Sequence, residues 1–85
     1  MTPSFVVETK KVIEYLILRN LIKQYQKAKK YILEGVGYKA VLSKREPKED
    51  DIWYFRINKQ YRAFCTYDKI TGELLVFKID DHSHS

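Results

Sequence analysis

Two arginines near the C-terminal end are the residues in this sequence best suited to phosphate chemistry. Arg56 and Arg62 lie in the run FRINKQYRAF, and His82 follows the last apolar run of the chain. Arginine can bind two phosphoryl oxygens through its planar fork, and it stays charged at every relevant pH. Histidine titrates near neutrality and can therefore act as a general acid or base. Together these residue types could stabilise and protonate a phosphodiester during cleavage without a metal.

Each of these residues also has a structural interpretation. The two arginines could instead pair with acids across a sheet, namely Glu73, Asp80 or Asp81. We expect His84, one residue from the end, to have no role, whereas His82 directly follows a predicted strand and is better placed. The sequence leaves both interpretations open.

The composition favours a folded domain with an anionic partner. The chain has 85 residues, of which 45% are hydrophobic, and this predicts one domain over residues 1–85. Its net charge is +5, with eight Lys/Arg against three acids in residues 1–42. Such a field attracts nucleic acid, an acidic membrane surface or an acidic protein, although it could also serve only solubility.

The cysteine count, the short apolar runs and the N-terminal residues predict a cytoplasmic protein. Cys65 is the single cysteine, which excludes an internal disulfide and favours a small core residue in a reducing compartment. No apolar run approaches the ~20 residues that span a bilayer, and MTPSFVVETKK lacks the order of a signal peptide. The acidic run 49–51 is expected to be a solvated turn; a metal site there is not favoured.

The hydrophobic pattern predicts an α+β fold. A short strand over residues 4–8 precedes two helices that start at Thr9 and end at Gly35, with Asn20 as the N-cap of the second helix. Residues 35–51 form a loop-rich segment in which YKAVLS could be a short edge strand. Three strands over residues 52–57, 61–67 and 73–79 have short links, so they must form an antiparallel meander. The helices are expected to pack on one face of this sheet.

Alternation along the strands assigns side chains to the two faces of the sheet. The face expected under the helices carries Trp53, Phe55, Ile57, Leu75, Phe77 and Ile79. The open face would then carry Arg56, Arg62 and Lys78, together with Val76. Three cations on an uncovered face would form a binding surface for a polyanion.

Other basic and aromatic residues could bind RNA in addition to Arg56 and Arg62. Tyrosine can stack on a base, and lysine can contact phosphates without special geometry. The expected RNA-binding residues are Lys27 and Lys30 on the second helix, Lys44 and Arg45 in the loop, and Tyr54 and Lys78 on the strands. The helix lysines could also be a solvated face.

The order of elements and one local motif resemble a known family. Strand, two helices and a meander containing WYFRINKQYRAFCTYD and ending LLVFKIDDH are similar to the RelE/ParE toxin superfamily of toxin–antitoxin systems. The most specific piece runs from Phe55 to Phe64, and the order of elements matches over nearly the whole chain.

This resemblance implies a RelE-like fold and a ribosome-dependent endoribonuclease (mRNA interferase) that cleaves mRNA and is neutralised by a cognate antitoxin. It implies that Arg62 binds the scissile phosphate, that Arg56 is a second basic residue, and that His82 is a general acid or base. It implies no metal and no small-molecule cofactor.

The sequence departs from the family in two places, and two other functions stay open. Tyr54 stands where a further basic residue is expected, and no aromatic residue follows His82, where many members have one that stacks on the mRNA base. The ParE branch shares the fold but inhibits DNA gyrase without nuclease chemistry. The remaining alternative is a small basic nucleic-acid-binding protein unrelated to toxins.

Overall fold

The computed structural model describes residues 2–35 and 41–82 and confirms the α+β class. In chain order its elements are β1 (Phe5–Glu8), α1 (Lys10–Leu18), α2 (Ile22–Glu34), β2 (Ser43–Lys44), a 3₁₀ turn (Lys48–Asp50), β3 (Trp53–Arg56), β4 (Tyr61–Tyr67) and β5 (Glu73–Asp81). No helix in the described part of the chain is both long and apolar enough to cross a membrane.

The five strands form one mixed sheet in the order β1-β5-β4-β3-β2. The last three strands are antiparallel neighbours, as predicted from their short links. The arrangement as a whole differs from the predicted meander, because β1 lies parallel to β5 at one edge and β2 extends the sheet at the other. Strand β2 overlaps the possible edge strand YKAVLS at Ser43, and residues 38–40 of that segment lie outside the described residues. Parallel strands need a long connection, and here it consists of both helices and strands β2 to β4.

The hydrophobic core lies between the two helices and one face of the sheet. The helices contribute Val12 and Leu16 from α1 and Tyr25, Ala28 and Ile32 from α2. The sheet contributes Val6, Phe55, Ile57, Tyr61, Ala63, Cys65, Leu74, Val76 and Ile79. Helix-spaced and strand-alternating apolar residues therefore meet in one layer, and neither of the described helices covers the opposite face of the sheet.

A bulge in β5 corrects the predicted side-chain assignment of that strand. Phe64 pairs with Lys78 but the next residue, Cys65, pairs with Val76, so Phe77 is the extra residue of the bulge. Val76 is consequently fully buried in the core, whereas it was predicted on the open face with Lys78. Leu75 and Phe77, predicted under the helices, are only half-buried. Uninterrupted alternation cannot detect a bulge, because one inserted residue shifts every later side chain to the other face.

The boundary between the helices also differs from the prediction. Thr9 caps α1, accepting a hydrogen bond from the Val12 N–H at 3.3 Å. Asn20 does not cap α2; it has φ 57 and ends α1. The N–H of Leu21 donates to the Leu16 carbonyl at 2.8 Å, and that of Asn20 donates to the Ile17 carbonyl at 3.1 Å. These two bonds form a Schellman motif, in which a left-handed Asn is a common substitute for Gly.

Two contacts fix the N-terminal strand to the rest of the molecule. The Glu8 carboxylate accepts hydrogen bonds from the Tyr25 hydroxyl at 2.7 Å and from the Lys29 ammonium at 2.8 Å. At the other end, Gly72 has φ 80 in the β4–β5 turn, where an added Cβ would lie 2.8 Å from the Ser4 Cβ. Glycine is therefore required there both for its backbone conformation and for the close approach of β1.

Candidate nucleic-acid interface

The open face of the sheet brings the two predicted arginines directly opposite each other. Arg56 on β3 and Arg62 on β4 are register partners, so their side chains leave the sheet on the same side. Lys78 is exposed on β5, opposite Phe64, and it also lies on this face, as predicted. The three cations that alternation placed together therefore share one face of the sheet, although β4 separates Lys78 from Arg56.

Arg62 is held in place by one acid and two aromatic rings. Its Nη2 donates to Asp80 Oδ2 at 2.9 Å, and Asp80 is also its register partner on β5. The guanidinium carbon lies 5.0 Å from the centroid of the Tyr54 ring and 5.3 Å from that of Phe64. Its Nε is buried without a hydrogen-bond partner among the described residues, and only 18% of the side chain is exposed. Arg62 is thus rigid and partly neutralised.

Phe64 is the central residue of this surface, and the sequence did not single it out. It is 4% exposed although it lies on the side without helices, because Tyr54 packs edge-on against it and Arg62 covers it. Arg45 covers it as well, with its guanidinium carbon 5.3 Å from the ring centroid. An aromatic residue two positions after Arg62 on the same face was the available signal.

The structure separates Lys44 from Arg45, which were predicted to act together. Lys44 pairs in register with Trp53, lies 5.5 Å from the centroid of its ring and forms an ion pair with Asp51 at 2.9 Å. Because Trp53 packs against the core, Lys44 lies on the helix side of the sheet. Arg45 lies over Phe64 on the open side, 3.6 Å from Asp50.

All three acids of the predicted solvated turn are exposed, and two of them, Asp50 and Asp51, are paired with cations. The hydrogen bond and charge of Lys44 lower the pKa of the Asp51 carboxyl. Within residues 2–35 and 41–82, no cluster of three or more His, Cys, Asp or Glu side chains is arranged to hold a metal ion.

His82 lies at the end of the sheet where the arginines are. Its backbone N–H donates to the Gln60 carbonyl at 2.7 Å, which joins the residue after β5 to the turn before β4. The side chain is exposed, two residues beyond Asp80, the partner of Arg62. His84 falls outside the described residues.

The two predicted helix lysines lie in different surroundings. Lys27 lines a groove between α2 and the end of β3 that Arg56 also lines. Lys30 lines another groove on the other flank of α2, with Lys29 and Glu34. Only Lys27 is therefore continuous with the arginines of the sheet.

Cys65 is a core residue, as predicted. It is fully buried, and burial raises the pKa of its thiol to about 12. The thiol therefore stays protonated at neutral pH and is unsuited to nucleophilic chemistry.

The sequence matches no protein-family model and no curated protein at a significant level.

Proposed function

We propose that this chain is a RelE-like toxin of a toxin–antitoxin system, an endoribonuclease that cleaves mRNA on the ribosome without a metal. The observation that carries the proposal is the pairing of Arg56 and Arg62 on the open face, with His82 at the same end of the sheet. The resemblance of the segment Phe55 to Phe64 to that family supports it, as does the order of strand, helices and meander.

In this proposal the two arginines stabilise the charge that develops on the phosphate. The 2′-hydroxyl attacks the adjacent phosphorus, the bond to the 5′-oxygen breaks, and the products carry a 2′,3′-cyclic phosphate and a 5′-hydroxyl. Arg62 provides a fixed donor because its guanidinium is already oriented by Asp80 and Tyr54. His82 transfers a proton to or from one of the oxygens.

The remaining basic and aromatic groups bind the RNA in this proposal. Arg45 and Lys78 flank Phe64 on the open face and contact backbone phosphates. The Tyr54 ring supports Arg62 and offers an edge for a base. Partners are the ribosome, mRNA and a cognate antitoxin, and the proposed location is the cytoplasm.

Induced expression in a bacterial host tests the proposal. Arg62→Ala should relieve growth arrest by at least 100-fold in colony counts, since removing one electrostatic donor typically costs about 10²–10³-fold in rate. His82→Gln should also relieve it, because it removes the proton-transfer group from an exposed position without disturbing the core.

The matched control is Lys59→Gln, an exposed cation in the turn between β3 and β4. It should stay toxic. Circular dichroism of the purified variants checks that Arg62→Ala remains folded, since Arg62 also contacts Asp80 and two rings. A folded Arg62→Ala protein that is as toxic as the wild type contradicts the proposal.

A second candidate is a ParE-like toxin that inhibits DNA gyrase without nuclease activity. The ion pair between Arg62 and Asp80 favours it, because a neutralised arginine is less available to a phosphate. Primer extension on cellular mRNA separates the two candidates: toxicity that persists in the His82→Gln protein with no mRNA cleavage supports the gyrase inhibitor.

A further inference from the structure

A groove of about 290 Å³ lies between α2 and the end of β3. Its lining consists of Gln24, Lys27, Ala28, Tyr31, Arg56 and Ile57. Among these described residues the two charged side chains are both cations, and none is a carboxylate. The charge and size of the groove therefore suit a small anionic group.

The floor of the groove is rigid, because it belongs to the core. Ala28 and Ile57 are 7% and 8% exposed and pack with the residues under the helices. The Asn58 amide donates to the Gln24 amide oxygen at 2.5 Å, which ties the β3–β4 turn to α2 beside the groove. A ligand would thus meet a preformed surface that is lined by two exposed cations.

Neither cation of the groove is neutralised within the part of the chain that the structure describes. The ion pairs there involve Lys29, Lys44, Arg45 and Arg62. Lys27 and Arg56 are both exposed and take part in none of them. Arg62, in contrast, already forms an ion pair with Asp80.

Arg56 connects this groove to the open face of the sheet. It is the register partner of Arg62, and it also lines the groove with Lys27. Among the residues that the structure describes, β2 pairs with Trp53 and Tyr54, and no described strand covers the edge of β3 at Arg56. The positive surface therefore continues from the open face, around the edge at Arg56, to α2.

We propose that this groove binds the phosphate of a nucleotide neighbouring the one held at Arg62, in a single-stranded RNA that bends around the end of β3. The inference rests on the proposed function for the identity of the nucleic acid. A single strand can follow a bend at one strand edge, whereas a duplex stays stiff over tens of base pairs.

Binding of a 2′-O-methyl oligoribonucleotide tests the inference. The probe is a fluorescein-labelled single strand of ten nucleotides, which cannot be cleaved because it lacks the 2′-hydroxyl nucleophile. Fluorescence anisotropy should show that Lys27→Gln weakens binding by about three- to tenfold and reduces the slope of log K against log salt by about 0.7. An unlabelled duplex of the same length should compete at least tenfold less well.

The matched control is Lys23→Gln, which removes an exposed lysine of α2 that does not line the groove. It should change the affinity by less than twofold. Equal losses for the two lysine variants overturn the inference, as does the absence of salt-dependent binding by the wild type or equal competition by the duplex.

The binding experiment also distinguishes failure of the groove proposal from failure of the proposed nuclease function. Binding that follows the predicted order of variants, in a protein that cleaves no mRNA in cells, supports the groove and rejects the nuclease.

Discussion

At the scale of single residues, the central contact is the ion pair between Arg62 and Asp80. Both side chains are mostly buried, at 18% and 27% exposed, and their atoms are 2.9 Å apart. The acid orients the arginine, but it also cancels the charge that would attract a phosphate. The ion pair thus favours phosphate binding by orienting the Arg62 guanidinium and disfavours it by reducing the positive charge.

Asp80→Asn should therefore increase affinity for RNA. The neutral amide can still accept a hydrogen bond from Arg62, but it no longer competes with a phosphate for the positive charge. We expect binding of the 2′-O-methyl single strand to tighten about two- to fivefold at low salt, with a steeper salt dependence. Fluorescence anisotropy at several salt concentrations measures both quantities.

Glu14→Gln is the control for net charge, since it removes an exposed acid from α1 and leaves the open face unchanged. Its effect should be smaller than that of Asp80→Asn. An Asp80→Asn protein that keeps its thermal stability and binds no better than the Glu14→Gln protein would show that Arg62 does not contact the RNA.

At the scale of elements, the junction of the two helices is determined by Asn20. Its φ of 57 and the Schellman hydrogen bonds that surround it end α1 and turn the chain into α2. The bend lets α1 and α2 present Leu16 and Tyr25 to the same core.

Substitutions at Asn20 distinguish a left-handed position from an N-cap. Asn20→Gly should leave the free energy of unfolding within about 0.5 kcal/mol of the wild type, because Gly adopts positive φ freely. Asn20→Ser should lower it by about 1 kcal/mol, since Ser lacks that freedom although it is a good N-cap. In a domain of this size the loss is about 4–8 °C in Tm, which calorimetry resolves.

Thr9, which does cap α1, provides the comparison. Thr9→Ser should be tolerated there, because Ser keeps the capping oxygen. If Ser were tolerated at Asn20 as well and Gly were not, the turn between the helices would have been assigned wrongly.

At the scale of the whole molecule, the single core contains two groups that resist ionisation. Burial raises the pKa of the Cys65 thiol from 9.0 to about 12. Burial, followed by the hydrogen bond to Glu8, raises the pKa of the Tyr25 hydroxyl above its usual value of 10.0. Both groups are protonated in the native state and ionise at lower pH in the unfolded chain.

Stability should consequently fall at alkaline pH. For Cys65 the stabilisation is complete below pH 9 and is lost progressively as the pH rises from 9 to about 12. At pH 11 the loss from this thiol is about 2–3 kcal/mol, since each pH unit above the unfolded pKa costs about 1.4 kcal/mol. Urea unfolding at pH 8, 9.5 and 11 measures it.

Cys65→Ala isolates the contribution of the thiol. The variant should be less stable than the wild type at pH 8 because it leaves a small cavity, yet it should lose less stability on going to pH 11. Parallel losses in the two proteins would mean that the thiol ionises in the native state as easily as in the unfolded one.

Much of the fold follows from local pattern. The periods of 3.6 and 2 located both helices and the last three strands, and short links made those strands antiparallel. The same alternation brought Arg56, Arg62 and Lys78 to one face. These features depend on residues close in sequence, so the sequence alone determined them.

The rest depends on contacts between distant residues. The bulge that buries Val76 arises from the pairing of β4 with β5, and the position of β1 arises from its parallel pairing with β5, a strand at the other end of the chain. The sequence offers Glu73, Asp80 and Asp81 as possible partners of Arg62. The register of β4 with β5 decides that the partner is Asp80.

The groove that Lys27 and Arg56 share also could not be predicted without the tertiary structure. It lies between a helix and a strand edge that are about 30 residues apart in the chain. Sequence pattern determines which side of a regular helix or strand a residue occupies, whereas tertiary packing decides where a strand bulges and which residue on another element each side chain meets.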